Sequence, residues 1–550
     1  MEINATPSVK SKVSLAMLSG ILLGLSFPPF ETGVFAAVAF VPFFILFDYI
    51  EGYRESLVYS YITFFVFNLI TVYWVGGFTH GKDIYLMVAG AMVLIAQPMF
   101  FYIPVLACMA FRRQFGFKAA LFAFPFLWIA FEYIHAHWQF SFPWLTLGNS
   151  QTYNLETIQF ASITGVYGIS FWLLLLNVLL FVVYAKIALK EWRISDPKTI
   201  LFVSLVLLLY LLPKFYGAQI LNQTYIPSNN TVRIGIVQPN IDPFDKWEQR
   251  SDPQLSILQN LTNEVARQEA DLVLWPETAI PFYILDPKNR WYLDQIQQQV
   301  NRLQIHLLTG IPDIIYYQSG DHVPRSSKIT SNGQRYDNFN SSMLLTPNSI
   351  EIQKYAKMQL VPFAERVPYS EELSFLNAME WNFGLGGWKV GEEATIFKFQ
   401  KKKLSEVKFS NMICYESVFP GFVAEFVKNG AQFLTVITND SWWGNTSGVY
   451  QHKQIAVLRA VENRRWVVQC ANGGVSCFID PFGHILHPTN LYTQTIMTEN
   501  IEPRTELTFY SQHGDWFAEL CVMLSVFLLT AAFGKKLYMN IRTRQLHEIH

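Results

Sequence analysis

The chain is predicted to fold as an α-helical membrane bundle of eight spans joined to an α/β domain, and three observations predict it. Hydrophobic residues make up 51% of the 550 and charged residues only 15%, against about a quarter charged in an ordinary soluble domain. The deficit is uneven: residues 13–216 and 514–533 are mostly apolar, whereas 217–512 have the mixed composition of a globular domain. Within 217–512, short β-rich runs alternate with helical segments, the pattern of a layered α/β fold. The expected organisation is an N-terminal membrane region at 1–216, a globular domain at 217–512, and a last span with its tail at 513–550.

A bilayer core takes about 20 mostly apolar residues per helix. Eight stretches qualify: 13–30, 34–50, 56–75, 85–111, 119–136, 160–184, 199–216 and 514–533. The first is not read as a cleaved signal, because it runs into Pro28-Pro29 without a small-residue cleavage site and further spans follow. Lys and Arg placement orients the bundle. Lys10, Lys12, Arg54, Arg112, Arg113, Lys118, Lys186, Lys190, Arg193, Lys198, Lys535, Lys536, Arg542 and Arg544 all fall on one side of an eight-span arrangement. That side is expected to be cytoplasmic and to hold both termini. Residues 217–512 then face outward, into the periplasm of a double-membraned bacterium. Asp48, Glu132, His135 and His137 sit near span ends and are expected to be solvated at the interface. Phe142-Pro-Trp-Leu145 reads as an aromatic interface anchor.

In the outer domain, strands are expected at 232–237, 271–275, 304–309, 341–345, 407–413, 433–437 and 466–470, with helices at 252–269 and 452–466. Polar residues gather at the ends of these strands. Glu277 follows Val-Leu-Trp-Pro, Cys414 follows Ser-Asn-Met-Ile, and Asn439 and Asp440 follow Thr-Val-Ile-Thr. Ligands of α/β sheets bind beyond strand carboxyl ends. With Lys357, these residues form a chemically sufficient set for acyl transfer. A cysteine attacks a carbonyl as thiolate, a carboxylate can take its proton, and an ammonium stabilises both the thiolate and the oxyanion that follows. The net charge of -1 supplies no field for nucleic acid. The five cysteines lack metal-ligand spacing, so neither metal nor cofactor is expected. Cys470 and Cys477 flank a turn and are read as inert core thiols rather than a bridge.

The words around these residues identify a family. Trp275-Pro-Glu277-Thr-Ala-Ile-Pro281, Tyr355-Ala-Lys357-Met-Gln-Leu-Val-Pro-Phe-Ala-Glu365-Arg-Val-Pro368 and Ile413-Cys414-Tyr-Glu416 resemble the three motifs of the nitrilase superfamily, in order. The longer context resembles its membrane-embedded branch, the apolipoprotein N-acyltransferases. That context includes Val237-Gln-Pro-Asn-Ile241, Lys246-Trp247, Thr438-Asn-Asp-Ser-Trp442-Trp-Gly444, Gln451-His452, Arg459-Ala-Val-Glu462 and Asn472-Gly-Gly474. Ser26-Phe-Pro28 and Phe142-Pro-Trp-Leu145 carry the likeness into the membrane half.

The resemblance implies an αββα sandwich on eight membrane helices of the bacterial inner membrane. It implies that Cys414 takes an acyl chain from a phospholipid, expected to be phosphatidylethanolamine, as a thioester. The chain then passes to the N-terminal amine of a diacylglyceryl-cysteine lipoprotein. Glu277 would be the general base, and Lys357 and the amide of Tyr415 the oxyanion donors. Glu365 would support Lys357 and Cys414. Glu416, Trp442 and Asn439 match positions at the site, and Trp247 an aromatic near its entrance. Ala364, Arg366 and Trp443 depart from the family pattern, which expects Gly, an apolar residue and Phe there. A lipid-dipping lid is expected over 376–395. The alternative reading is a membrane-tethered amidase or other hydrolase, in which water resolves the thioester. A transporter with an inert outer domain would need paired intramembrane charges or broken helices, and the sequence has little of either.

Overall fold

The computed structural model describes residues 8–77, 84–222, 230–243, 251–318, 320–324, 327–370, 372, 387–401 and 406–548. Its membrane half contains α1 (Val9–Leu25), α2 (Val41–Tyr49), α3 (Tyr53–Thr71), α4 (Ile84–Phe100), α5 (Tyr102–Phe115), α6 (Phe117–Ala136), α7 (Leu155–Ile158), α8 (Ala161–Ala188) and α9 (Pro197–Leu221). A long helix, Trp516–Glu548, ends the chain. Helices thus occupy all eight apolar stretches, the fourth as α4 and α5 in succession. By length and composition, five helical stretches can cross a membrane: Leu86–Phe115, Phe117–Ala136, Ala161–Ala188, Pro197–Leu221 and Trp516–Leu546. Gly33–Tyr49 is apolar but shorter.

Lipid is as apolar as a leucine side chain, so helices in it associate by close packing rather than by exclusion from water. Gly20 and Gly24, four residues apart on α1, supply that closeness. A Cβ at Gly20 would lie 2.3 Å from the Thr63 carbonyl oxygen of α3, and one at Gly24 2.7 Å from Cβ of Ile70. Aromatic rings fill the interior, with centroids 4.9 Å apart for Phe40 and Trp128 and 4.4 Å for Phe64 and Phe101. One end of the bundle is basic. There Lys12 pairs with Glu55 at 2.5 Å, Arg112 donates to the Phe47 carbonyl, Arg113 lies over the Tyr53 ring, and Lys535 donates to the Gln114 carbonyl. The opposite end carries the outer domain.

Three expectations at that opposite end are overturned. Glu132 is not solvated: it is 5% exposed, and its Oε1 accepts from the Trp128 indole at 2.9 Å and the Leu147 amide at 2.8 Å. The turns following α6 fold back over it and replace water. His135 is buried likewise, between Gln97 at 3.0 Å and the Trp138 indole at 2.8 Å. Trp144 is no interface anchor, being 1% exposed. Its indole donates to Gln451 Oε1 at 2.7 Å, and its ring packs against both Trp74 and Trp443. The outer domain covers the surface that lipid would otherwise have met.

Among its described residues the outer domain holds thirteen strands: β1 (Val232–Gln238), β2 (Leu272–Leu274), β3 (His306–Tyr316), β4 (Lys328–Ile329), β5 (Arg335–Leu345), β6 (Gln353–Ala356), β7 (Phe397–Gln400), β8 (Glu406–Ile413), β9 (Phe433–Thr438), β10 (Val467–Ala471), β11 (Cys477–Ile479), β12 (Ile485–Leu486) and β13 (Thr495–Ile501). They form two mixed sheets, ordered β13-β1-β2-β3-β5-β4 with β6 on β5, and β12-β11-β10-β9-β8-β7. The sheets face each other: Cys470 Sγ of β10 lies 3.4 Å from the Val237 and Leu274 carbonyls, and Asn411 of β8 donates to Ser342 of β5 at 3.1 Å.

Helices α10 (Ser251–Ala266) and α11 (Arg290–Leu303) cover the first sheet. Leu293, Ile296 and Val300 of α11 are buried at helical spacing. Helices Pro420–Lys428 and Ser447–Asn463 cover the second sheet. The result is a four-layered αββα sandwich. Both faces of β1, β2, β9 and β10 are therefore covered, which explains their continuous apolar runs. The strand expected to stop before Gly310-Ile-Pro instead runs on to Tyr316, because β5 pairs antiparallel along it with Pro312 opposite Asn340. Cys470 and Cys477 are free. Gln469 is the residue opposite Cys477, so the neighbouring Cys470 points to the other face of the sheet.

Candidate active site

Five strand ends meet above the sandwich. Glu277 lies just past β2, Lys357 follows β6, Cys414 follows β8, Asn439 follows β9 and Asn472 follows β10. Two of these ends are bent sharply. Thr278 has φ 45° and Cys414 has φ 53°, in the left-handed region that costs a side-chain-bearing residue about 1–3 kcal/mol. The bend after β8 lifts the thiol out of the sheet. Gly310 of β3 makes room for the first bend, since a Cβ there would lie 2.4 Å from the Thr278 nitrogen.

Glu277, Lys357 and Glu365 form one buried network. Lys357 is 1% exposed, and its Nζ lies 2.9 Å from Glu365 Oε1 and 3.4 Å from Glu277 Oε1. Asn340 of β5 donates to the same two oxygens, at 2.8 Å to Glu277 and 3.1 Å to Glu365. Burial opposes a charge on Lys357, but the two carboxylates outweigh it and hold the ammonium above its ordinary range. Both Glu277 and Lys357 act electrostatically on the Cys414 thiol, which also hydrogen-bonds Thr438. Burial and then the Glu277 charge push that thiol well above its ordinary pKa, against the pull of Lys357. The resting sulfur is thus a neutral thiol, whereas the chemistry of the set suggested an ammonium-stabilised thiolate.

Glu416 lies beneath the pocket and not on its wall. It is 0% exposed, and burial pushes its carboxyl up to about 7 against four hydrogen bonds. Oε1 accepts from Tyr355 OH at 2.6 Å and from the Met358 and Gln359 amides at 2.6 and 3.2 Å, while Oε2 accepts from the Ile413 amide at 2.7 Å. One carboxyl therefore ties the segment that carries Lys357 to the strand end that carries Cys414. Tyr415 is buried and donates its hydroxyl to the Ser141 carbonyl at 2.8 Å, fixing the bend to the membrane half. Asn439 accepts from Asn472 at 3.0 Å. Trp442 is half-buried at the next turn. Trp247 and residues 376–386 of the expected lid lie outside the described residues. The following stretch closes over the network: the Gly387 and Trp388 amides donate to the Glu365 carbonyl, and Gly391 donates to the Lys357 carbonyl.

Two supports escaped the sequence reading. Asn340 lies inside a strand and reaches Glu277 only through the pairing beyond Pro312. His452 is 0% exposed, with Nδ1 2.9 Å from Asp440 Oδ1 and Nε2 3.2 Å from the Cys414 carbonyl oxygen. Burial alone would lower its pKa, but Asp440 raises it above the ordinary value. The sequence signal was the Gln451-His452 pair, which carried family likeness without a role. Among the described residues no cluster of His, Cys, Asp and Glu could hold a metal ion.

Residues 19–179 match the apolipoprotein N-acyltransferase N-terminal domain, and residues 233–508 match the carbon-nitrogen hydrolase family. The apolipoprotein N-acyltransferase of Chlorobaculum tepidum is 37% identical over 95% of this chain and 97% of its own length. That of Geobacter metallireducens is 31% identical over 95% of each, and that of Rickettsia prowazekii 27% identical over 94% and 98%.

Proposed function

The chain belongs to the apolipoprotein N-acyltransferase family, and from that membership we propose that it moves an acyl chain from a phospholipid to a lipoprotein amine through a Cys414 thioester. The observation that carries this reading is the convergence of Glu277, Lys357 and the Cys414 thiol in one buried pocket against apolar helices.

In the first half-reaction Glu277 takes the thiol proton as sulfur attacks the ester carbonyl. Glu277 must act during attack because the thiol is neutral at rest. The oxyanion forms against the Lys357 ammonium and the Tyr415 amide, each such donor contributing about 3 kcal/mol. Collapse expels the lysophospholipid alkoxide, which recovers the proton from Glu277. In the second half the acceptor amine attacks the thioester, Glu277 takes the amine proton, and the departing thiolate recovers it. Glu365 and Asn340 keep Lys357 and Glu277 aligned between the two halves. His452 holds the strained Cys414 bend through its carbonyl.

The donor is phosphatidylethanolamine, and the acceptor is a diacylglyceryl-cysteine lipoprotein. Eight helices cross the bacterial inner membrane, with 1–216 and 513–550 as the membrane regions and 217–512 in the periplasm. The supporting observation is polarity: Lys12, Arg112, Arg113 and Lys535 gather at one end of the bundle, and the pocket sits at the other. Trp442 and Asn439 line the approach to the thiol. The acceptor assay tests the reading. Purified protein given phospholipid and a diacylated lipopeptide should yield N-acylated lipopeptide. Release of free fatty acid with no N-acylated product would instead make the protein a hydrolase.

A further inference from the structure

Near the junction of the two halves, a small cavity opens between the end of α6, the start of the Trp516–Glu548 helix and the segment that follows Cys414. We propose that it seats the cationic headgroup of the donor phospholipid, an ammonium of the ethanolamine or choline type. The proposal rests on the phospholipid-donor reading given above and adds a headgroup site to it.

Asp515 supplies the charge. It is 6% exposed and borders the cavity, and its Oδ1 accepts from Tyr510 OH at 2.6 Å. Among the described residues it makes no ion pair; the positive charges that reach it are those of Arg459 and of His137, which also borders the cavity. Gly421 makes that placement possible, because a Cβ there would lie 2.3 Å from Asp515 Oδ2. Tyr167 borders the same space, is 0% exposed, and has a hydroxyl with no hydrogen-bond partner among the described residues. Such a group calls for a polar ligand.

The remaining walls are aromatic. Trp138, Phe419 and Phe422 line the cavity. Rings around a carboxylate attract an ammonium through their negative faces, and quaternary ammonium is as suitable as primary. The position agrees with a headgroup. Trp138 and Asp515 lie at the ends of two membrane-length helices, on the side that carries the outer domain. The cavity is also within reach of the thiol. Phe419 packs edge-on against Tyr415, the residue after Cys414, with ring centroids 5.2 Å apart. Gln359, another lining residue, is two residues beyond Lys357 and so at most about 7 Å from it along the chain.

The test is Cys414 thioester formation in mixed micelles of phosphatidylethanolamine, phosphatidylcholine or phosphatidylglycerol, read by intact mass in single turnover. The full chain should show a lower KM for the two ammonium donors than for the glycerol donor. Asp515→Asn and, separately, Gly421→Ala should collapse that ratio by about tenfold, the scale of one charge-assisted contact. An unchanged ratio in both variants would overturn the proposal. So would a raised KM for the lipopeptide acceptor on preformed acyl-enzyme with donor selectivity intact, since the cavity would then serve the acceptor's amine. If Asp515→Asn does not fold, Gly421→Ala decides alone. Failure of the wild-type chain to form a thioester from any of the three lipids would instead remove the underlying reading.

Discussion

The Cys414 thiol sits between charges of opposite sign, and this gives its two partners opposite signatures. Burial and the Glu277 carboxylate raise its pKa, while the Lys357 ammonium lowers it. Glu277→Gln removes a negative charge, so iodoacetamide should alkylate Cys414 faster at pH 8 than in the wild type. Acyl transfer in that variant should nevertheless fall by about 10²–10⁴, because the base is gone. Lys357→Met should slow both alkylation and acyl transfer, the latter by roughly 10²–10³. Parallel changes in both rates for Glu277→Gln would contradict the assigned roles. The positions of these residues were legible in the sequence because each sits in a distinctive word, and Glu277 and Cys414 also follow short apolar strands; β6, which carries Lys357, is too polar to read as one. The protonation state of the sulfur was not, since burial depends on how five strand ends meet. Asn340 was hidden for a related reason: a proline seemed to end β3, and only the pairing with β5 carries the strand past it.

At the scale of elements, buried carboxylates tie separate segments together. Glu416 fastens the end of β8 to the segment after β6. Glu462, on the helix Ser447–Asn463, pairs with Arg459 at 2.8 Å and accepts from the Val166 amide of α8 at 2.9 Å. Burial pushes both carboxyls from an ordinary 4.5 up to about 7. A folded-state pKa above the unfolded one favours the protonated native form. Stability from that source is full below about pH 4.5 and is lost as pH rises through about 7. A shift of this size corresponds to roughly 3 kcal/mol per group at most. The stability gap between wild type and Glu416→Gln, followed by tryptophan fluorescence during thermal unfolding, should therefore narrow from pH 5 to pH 8. A gap that widens over the same range would show that Glu416 is stabilised as an anion. The sequence named Glu416 but could not reveal its four donors. The Ile413 amide is local, but the Tyr355 hydroxyl and the Met358 and Gln359 amides lie far away along the chain and reach Glu416 only when the ends of β6 and β8 meet across the two facing sheets.

For the whole molecule, the membrane half and the outer domain form one interlocked body. Gln451 of the outer domain donates to the Pro28 and Thr71 carbonyls and accepts from the indoles of Trp74 and Trp144. This contact explains where the sequence reading of the membrane half failed. Apolar stretches and their positions were legible from composition alone. Whether an aromatic such as Trp144 or an acid such as Glu132 meets lipid, water or protein depends on the other domain, which hydropathy cannot see. The proposed sidedness is open to a labelling test. Single cysteines at Gly320 and Lys190, in an otherwise cysteine-substituted background, should differ in whole cells. A maleimide that crosses the outer but not the inner membrane should label position 320 and spare 190. The reverse pattern would place the outer domain in the cytoplasm.

Acyl transfer through one sulfur is tested most directly by intact-mass analysis of the protein after mixing with phospholipid, without acceptor. The wild-type chain should gain the mass of a single acyl group, released by hydroxylamine and mapped to Cys414, and Cys414→Ala should gain none while remaining folded in detergent. An acyl adduct of equal yield in Cys414→Ala, with lipopeptide turnover undiminished, would contradict it.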